Sequence, residues 1–333
     1  MAEQRFLLLR MSSLGDIIHT LPAAAALRDS FPAARIDWLV DYRWSPLLAG
    51  NPDLNRVVCL DRKGLRGFGA CVRDLRAAEY GCALDFQALY RSAILGYASG
   101  ARQRIGFDRE YAREGLASVL YTTLVNPLGR HKVEHNLSLV EAAGARRTAV
   151  RFPLSVPAEA EAQIASRLVQ HELTEFYALS PGGGWLSKCW PAERFGELHH
   201  ALAKRHGWRA VVSFGPSERE LAETVLTVAG GPKPVLLEMN LVELMALLRQ
   251  AKFFVGGDTG PLHLASALGT PVIGLYGPTD PARNGPYSSA DIVVRNARPE
   301  ETTYDRGSTH APTMCSITVE QVVAAIEKRM GLG

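Results

Sequence analysis

An aspartate, a threonine and a histidine stand around a run of glycines in residues 252–281, KFFVGGDTGPLHLASALGTPVIGLYGPTDP. An apolar strand (Phe253, Phe254, Val255) runs into Gly256-Gly257-Asp258-Thr259-Gly260, and a helix then carries His263. A strand that ends at glycines and opens a helix presents free N–H groups and the positive end of the helix dipole. Such a turn suits a phosphate, because glycines let the ligand approach the backbone. The same turn also occurs in α/β domains that bind nothing, so other loops must be weighed with it.

Three further strand ends carry reactive groups. The segment Phe6 to Arg10 is followed by Met11-Ser12-Ser13-Leu14-Gly15-Asp16. Asp16 falls in a first helical turn, where an acid is either a partner of the dipole or a base at the mouth of a site. The loop lacks G-x-G-x-x-G, which speaks against a dinucleotide-dependent dehydrogenase. Residues 180–191, SPGGGWLSKCWP, put three glycines ahead of Lys188. This pattern suits a diphosphate but lacks the Walker A spacing, and Lys188 is alternatively an exposed loop lysine. In Ser213-Phe214-Gly215-Pro216-Ser217-Glu218, Glu218 is either a ribose-binding acid or a helix-start acid, and Met239 is a base-stacking or a core methionine.

Strands are expected at 6–10, 36–40, 56–60, 82–86 and 103–107, and again at 176–180, 209–214, 234–238, 252–256, 271–276 and 291–295. Helices lie between them, for example Asp16 to Phe31 and Phe68 to Tyr80. Repeated β-α alternation implies parallel sheets covered by helices. The arginine- and proline-bearing stretch Ala145 to Pro157 reads as a linker. The expectation is therefore two doubly wound α/β domains, 1–150 and 151–333, facing across a cleft, with ligands beyond the carboxyl ends of the strands. The final helix, Val319 to Met330, is free on this reading to pack on either domain, including back on the first.

The 333 residues are 47% hydrophobic and 21% charged, which is ordinary for a globular enzyme. No apolar run reaches the roughly 18 residues of a membrane span. No secretory signal is expected. The five cysteines form no C-x-x-C pair, which argues for a reducing compartment and against a cysteine-rich zinc site. Charge is uneven. Residues 1–150 hold 20 Lys and Arg against 15 Asp and Glu, a net of +5, and 18 of those cations are arginines. Arginine grips carboxylates and phosphates in a bidentate way.

These segments, in this order, resemble the lipopolysaccharide heptosyltransferases of glycosyltransferase family 9 over nearly the whole chain. The most specific are S-S-L-G-D at 12–16, K-C-W-P at 188–191, G-G-D-T-G-P-L-H at 256–263 and Y-G-P-T-D-P at 276–281. The resemblance implies a GT-B fold of two Rossmann-like domains, an ADP-heptose donor and inversion at the anomeric carbon. Residues 84–92, LDFQALYRS, and 106–121 resemble the heptosyltransferase I subfamily, which transfers to a Kdo residue of Kdo2-lipid A. Ala88 and Arg91 replace that subfamily's glycine and lysine. Gly183 and Gly184 stand where hydroxyl residues are common.

Carried over residue by residue, the resemblance implies Asp16 as general base and Lys188 as the cation on the departing diphosphate. Gly183, Gly184, Lys188, Glu218, Met239, Asp258, Thr259, Gly260 and His263 would bind the donor. Ser12, Ser13, Gly15, Arg62, Lys63, Gln87, Arg91 and Arg113 would bind the acceptor. No metal and no cofactor beyond the co-substrate ADP-heptose is expected. The protein is expected to be a cytoplasmic monomer in peripheral contact with the inner face of a Gram-negative-type inner membrane, with no nucleic-acid partner. The rival readings are a family member with another donor or acceptor, such as the second core heptose, and more distantly a nucleotide-sugar epimerase or a binding protein.

Overall fold

Among the described residues, twelve strands pair in parallel to form two six-stranded sheets. In the computed structural model, which describes residues 4–60 and 64–332, the first sheet contains β1 (Arg5–Leu9), β2 (Arg35–Asp41), β3 (Arg56–Leu60), β4 (Cys82–Asp85), β5 (Gln103–Phe107) and β6 (Thr123–Val125). Their order is β3-β2-β1-β4-β5-β6. The second sheet contains β7 (Tyr177–Ser180), β8 (Ala210–Phe214), β9 (Val235–Glu238), β10 (Phe254–Gly257), β11 (Val272–Leu275) and β12 (Ile292–Val294). Its order is β12-β11-β10-β7-β8-β9, the same winding repeated. Each sheet reverses its strand order once, between β1 and β4 and between β7 and β10. Crevices at such reversals are where doubly wound sheets bind ligands.

The central strands are apolar on both faces because helices cover both. All four residues of β4, β7, β10 and β11 are buried. In the second unit Leu179, Phe195, Val212, Val255 and Ile273 form one core, joined by Val322, Val323 and Ile326 of the helix Val319–Arg329. That final helix packs on β11, β12 and the helix Ala192–His206. The chain divides into two compact units, Met1–Ser155 and Val156–Gly333. Ahead of the division, Arg151 ion-pairs with Asp29 and Asp53 at 2.8 and 2.6 Å.

Two expectations change locally. The expected helix from Asp16 to Phe31 is two helices, Leu14–Ile18 and Leu21–Ser30. Pro22 has no N–H to continue the first helix and instead suits the opening turn of the second. The short edge strand β6 has no counterpart in the sequence reading, because three residues with Leu124 half exposed carry too little pattern to register.

Candidate active site

In the first unit the chemistry gathers where β1 and β4 end. Asp85, at the end of β4, is buried. Its Oδ1 accepts the N–H groups of Gln87 and Ala88 at 2.9 and 3.0 Å, and its Oδ2 accepts the Tyr121 hydroxyl at 2.7 Å. Tyr121 can lie there because β5 has Gly106 beneath it; a Cβ at that glycine would fall 2.2 Å from the ring. The turn so formed carries Ala88 at φ +52°, a left-handed conformation that costs a non-glycine residue about 1 kcal/mol. It aims Gln87 back at the other loop. Gln87 Oε1 accepts the N–H groups of Met11 (3.0 Å) and Ser12 (3.2 Å), so one side chain ties the two loops together across the strand reversal.

The tethered loop leads into Asp16. The N–H and Oγ of Ser13 both donate to Asp16 Oδ2, at 3.3 and 2.9 Å, an arrangement typical of a helix start. Oδ1 accepts no hydrogen bond among the described residues. Burial is the largest single influence and opposes ionisation of this carboxyl. The Arg10 charge, the Ser13 hydroxyl and the charges of His19 and Lys132 together outweigh it and hold the group at about 2. Asp16 is therefore ionised at neutral pH, with one oxygen available. Arg10, at the carboxyl end of β1, is only 6% exposed, and its Nε has no hydrogen-bond partner among the described residues. Desolvation lowers its pKa, while Asp16 and Asp85 favour its charge and Arg113 opposes it.

The sequence reading missed Arg10 and Asp85. For Asp85 a signal existed: an aspartate two residues before Gln87, at a strand end, is a side chain placed to cap its own turn. Of the expected acceptor-side residues, Ser12, Ser13, Gly15 and Gln87 lie in or against this loop. Arg113 is exposed but close enough to act electrostatically on Arg10. Arg91 opens the helix Tyr90–Ala98. Arg62 and Lys63 lie outside the described residues.

In the second unit the corresponding reversal is spanned by an ion pair. Lys188 Nζ lies 2.5 Å from Asp258 Oδ2. Asp258 Oδ1 meets Asn284 Nδ2 at 2.8 Å and His263 Nε2 at 3.1 Å. Burial works against the Asp258 charge, yet His263 and Lys188 hold its pKa far below the usual carboxylate range. Asp258 is thus a fixed anionic hub that positions Lys188 and His263. The Trp185 ring lies 4.4 Å from Lys188 Nζ, restricting the ammonium from a further side.

Glycine is needed here for close approach. A Cβ on Gly183 would lie 2.6 Å from Thr259 Cγ2, and one on Gly257 would lie 2.4 Å from the Lys188 carbonyl oxygen. Gly184 meets nothing within 4 Å. The N–H groups of Gly183, Gly184 and Gly260 donate to no partner among the described residues, and Gly260 opens the helix Gly260–Ala267. Three free donors and a lysine thus gather at one strand reversal, an arrangement for anionic oxygens. Beside them, Glu218 Oε2 accepts the Gly215 N–H at 2.9 Å, and Oε1 sits where a Gly182 side chain would be. Met239 is buried, its N–H bonded to the Phe214 carbonyl at 3.1 Å. Cys189 packs against Gly183, and burial pushes its thiol up to about 11, so it is a neutral packing group.

Two Rossmann-like units, one presenting an ionised carboxylate and the other an anion cradle, define a GT-B glycosyltransferase. Residues 68–313 match the model of glycosyltransferase family 9 (heptosyltransferase), and the chain belongs to that family. It is 31% identical to lipopolysaccharide heptosyltransferase 1 of Escherichia coli K12, over 88% of this chain and 94% of that one. It is 28% identical to lipopolysaccharide heptosyltransferase 3 of the same strain, over 94% of each. Among solved structures, the E. coli heptosyltransferase WaaC with ADP superposes with a TM-score of 0.76 at 27% identity over 99% of each chain. A family 9 glycosyltransferase from Veillonella parvula reaches 0.88 at 23% identity, over 99% of this chain and 98% of that one.

Proposed function

We propose that this heptosyltransferase moves L-glycero-D-manno-heptose from ADP-heptose to a Kdo residue of Kdo2-lipid A, with inversion, in the making of the lipopolysaccharide inner core. The observation that carries the donor half is the Lys188–Asp258 pair beside the free N–H groups of Gly183, Gly184 and Gly260. The relative that superposes with ADP bound supports the same nucleotide. The acceptor half rests on the likeness to heptosyltransferase 1 and on the arginines of the first unit.

In this reading the acceptor hydroxyl attacks the anomeric carbon from the face opposite ADP. The C–O bond to heptose forms as the bond to the diphosphate oxygen breaks. Asp16 Oδ1 receives the hydroxyl proton. A carboxylate at about 2 is a weak base for a free hydroxyl. It suffices for an oxygen already bonding to the anomeric carbon, whose proton has become strongly acidic; such bases contribute roughly 10²–10⁴-fold. Lys188 and the three N–H groups take up the charge that builds on ADP. They supply the positive charge a metal would otherwise bring, so turnover should survive chelation by EDTA. Glu218 accepts ribose hydroxyls through Oε1, and Met239 lies under the base. The enzyme acts as a monomer at the cytoplasmic face of the inner membrane.

Release of ADP from ADP-heptose, with and without Kdo2-lipid A and beside UDP- and GDP-sugars, tests this reading. Acceptor-dependent release from ADP-heptose alone is expected. Turnover with another nucleotide sugar, or with an acceptor that already carries the first heptose, would replace the substrate assignment and keep the fold and the roles of Asp16 and Lys188.

A further inference from the structure

Large apolar side chains lie exposed in two adjacent rows of the first unit. The helix Tyr90–Ala98 exposes Tyr90, Ile94 and Tyr97, spaced as one face of a helix. The 3-10 helix Gly115–Leu120 exposes Leu116 and Val119, spaced as one face of that tighter helix. Tyr97 is 59% exposed and Val119 77%, unusual values for side chains of this size.

The two rows are held side by side at both ends. At one end the Tyr90 N–H donates to Glu114 Oε2 at 2.6 Å, and the Glu114 N–H donates to the Ala88 carbonyl at 3.1 Å. At the other end Arg104 lies over the Tyr97 ring at 5.3 Å and donates through Nε to the Leu120 carbonyl at 2.7 Å. The buried Ala117 seats the 3-10 helix between these ties. The exposed rows therefore form one fixed surface rather than a mobile loop. Contiguous exposed apolar surface of this kind marks an interaction site.

Its chemistry selects the partner. The segment that carries the rows is basic: residues 90–120 hold five arginines against three acids, Arg104 lies over the Tyr97 ring, and one of those acids, Glu114, is held by the Tyr90 N–H. Tyrosines with aliphatic neighbours in an arginine-rich segment match the headgroup layer of a bilayer, where rings sit at the interface and cations meet anionic lipid. We propose that this surface docks the enzyme on an anionic lipid bilayer. The helix begins two residues after Ala88, so docking brings the Gln87-tethered loop of Asp16 to the headgroup layer. The inference rests on the lipid-borne acceptor proposed above.

Flotation of the full-length protein with phosphatidylcholine vesicles, with and without phosphatidylglycerol, tests it in the absence of either substrate. That result is therefore independent of the transferase reading. Wild-type protein should float with the phosphatidylglycerol vesicles and dissociate in part at high salt. The double variant Ile94→Glu, Val119→Glu should lose partitioning by at least about tenfold with an unchanged circular dichroism spectrum. Its turnover on a water-soluble, de-acylated acceptor should equal wild type, while turnover on vesicle-embedded acceptor falls by a similar factor. Absence of wild-type flotation, or equal flotation of the variant, overturns the proposal. So does a wild-type dimer in solution that the variant splits, which would assign the surface to a second copy of the chain.

Discussion

Lys188 and Asp258 meet at 2.5 Å across the point where the second sheet reverses its strand order. The pair is internal to the protein, so a phosphate reaches the lysine by sharing it with a carboxylate rather than by ordering a loose side chain. Asp258 also holds His263 and Asn284, and the partnership is therefore unequal. Removing the lysine leaves the carboxylate two other partners. Removing the carboxylate leaves the largely buried ammonium with the Trp185 ring as its one remaining contact among the described residues.

That inequality predicts stabilities. Asp258→Ala should cost about 3–5 kcal/mol, the usual penalty for orphaning one member of a buried pair. Lys188→Met should cost about 1–3 kcal/mol and also weaken ADP-sugar binding. Urea midpoints of the two variants decide the matter, and equal losses would remove Asp258 from its place as hub.

Asp16 predicts a pH profile. Its carboxyl lies at about 2 in the folded protein and near 3.9 when unfolded. The stability it contributes is thus complete above about pH 4 and is lost as pH falls towards 2. Asp16→Asn should flatten that part of the stability curve, keep ADP-sugar affinity and lose turnover by at least about a hundredfold. In the wild type, kcat/KM should show no acid limb from Asp16 between about pH 5 and 8. Arg10→Gln should move the limb upward, because Arg10 supplies the largest opposing charge.

Gln87→Met predicts a selective defect. It keeps the shape and removes the acceptor that holds the Met11 and Ser12 N–H groups. Stability should fall by about 1–3 kcal/mol. Turnover should fall as well, while ADP-sugar binding, measured alone by calorimetry, stays at wild type. A weakened donor affinity would show that the tether does more than place the Asp16 loop.

Glycines of the second unit separate into two kinds. Gly257→Ala would drive a Cβ to 2.4 Å from the Lys188 carbonyl oxygen. The backbone must yield, at about 1–3 kcal/mol and with a raised donor KM. Gly184→Ala enters open space and should leave the melting temperature unchanged. Melting curves and donor kinetics for the two variants make the comparison.

Sequence pattern carried the sheets further than it carried the site. Strand and turn signals at Phe253 to Gly260 and at Leu179 to Gly184 are local, so the parallel architecture followed from them. The connections that make the site are not local. Asp258 is expected at the donor from its local motif, but that motif does not show that its oxygens are held by Lys188, Asn284 and His263. Gln87 is expected at the acceptor, but its segment does not show that its oxygen takes two backbone donors of another loop. Arg10 looks like the last residue of a strand, and only its burial beside Asp16 gives it a role. Which partner a polar side chain takes depends on strand order, and periodicity does not encode strand order.

The bridges across the two reversals join residues 76 and 70 positions apart, Gln87 to Met11 and Lys188 to Asp258. Domains fold as units during synthesis, the amino-terminal one first. The first unit therefore has no tethered Asp16 until the ribosome has passed Tyr121, whose hydroxyl completes the Asp85 turn. The second has no fixed lysine until β10 has been made, and no complete hub until Asn284. A chain stalled at β9 would carry its first glycine loop and its lysine without the Asp258 carboxylate that fixes the ammonium. Reactivity thus arrives late in each unit, after most of the strands that position it.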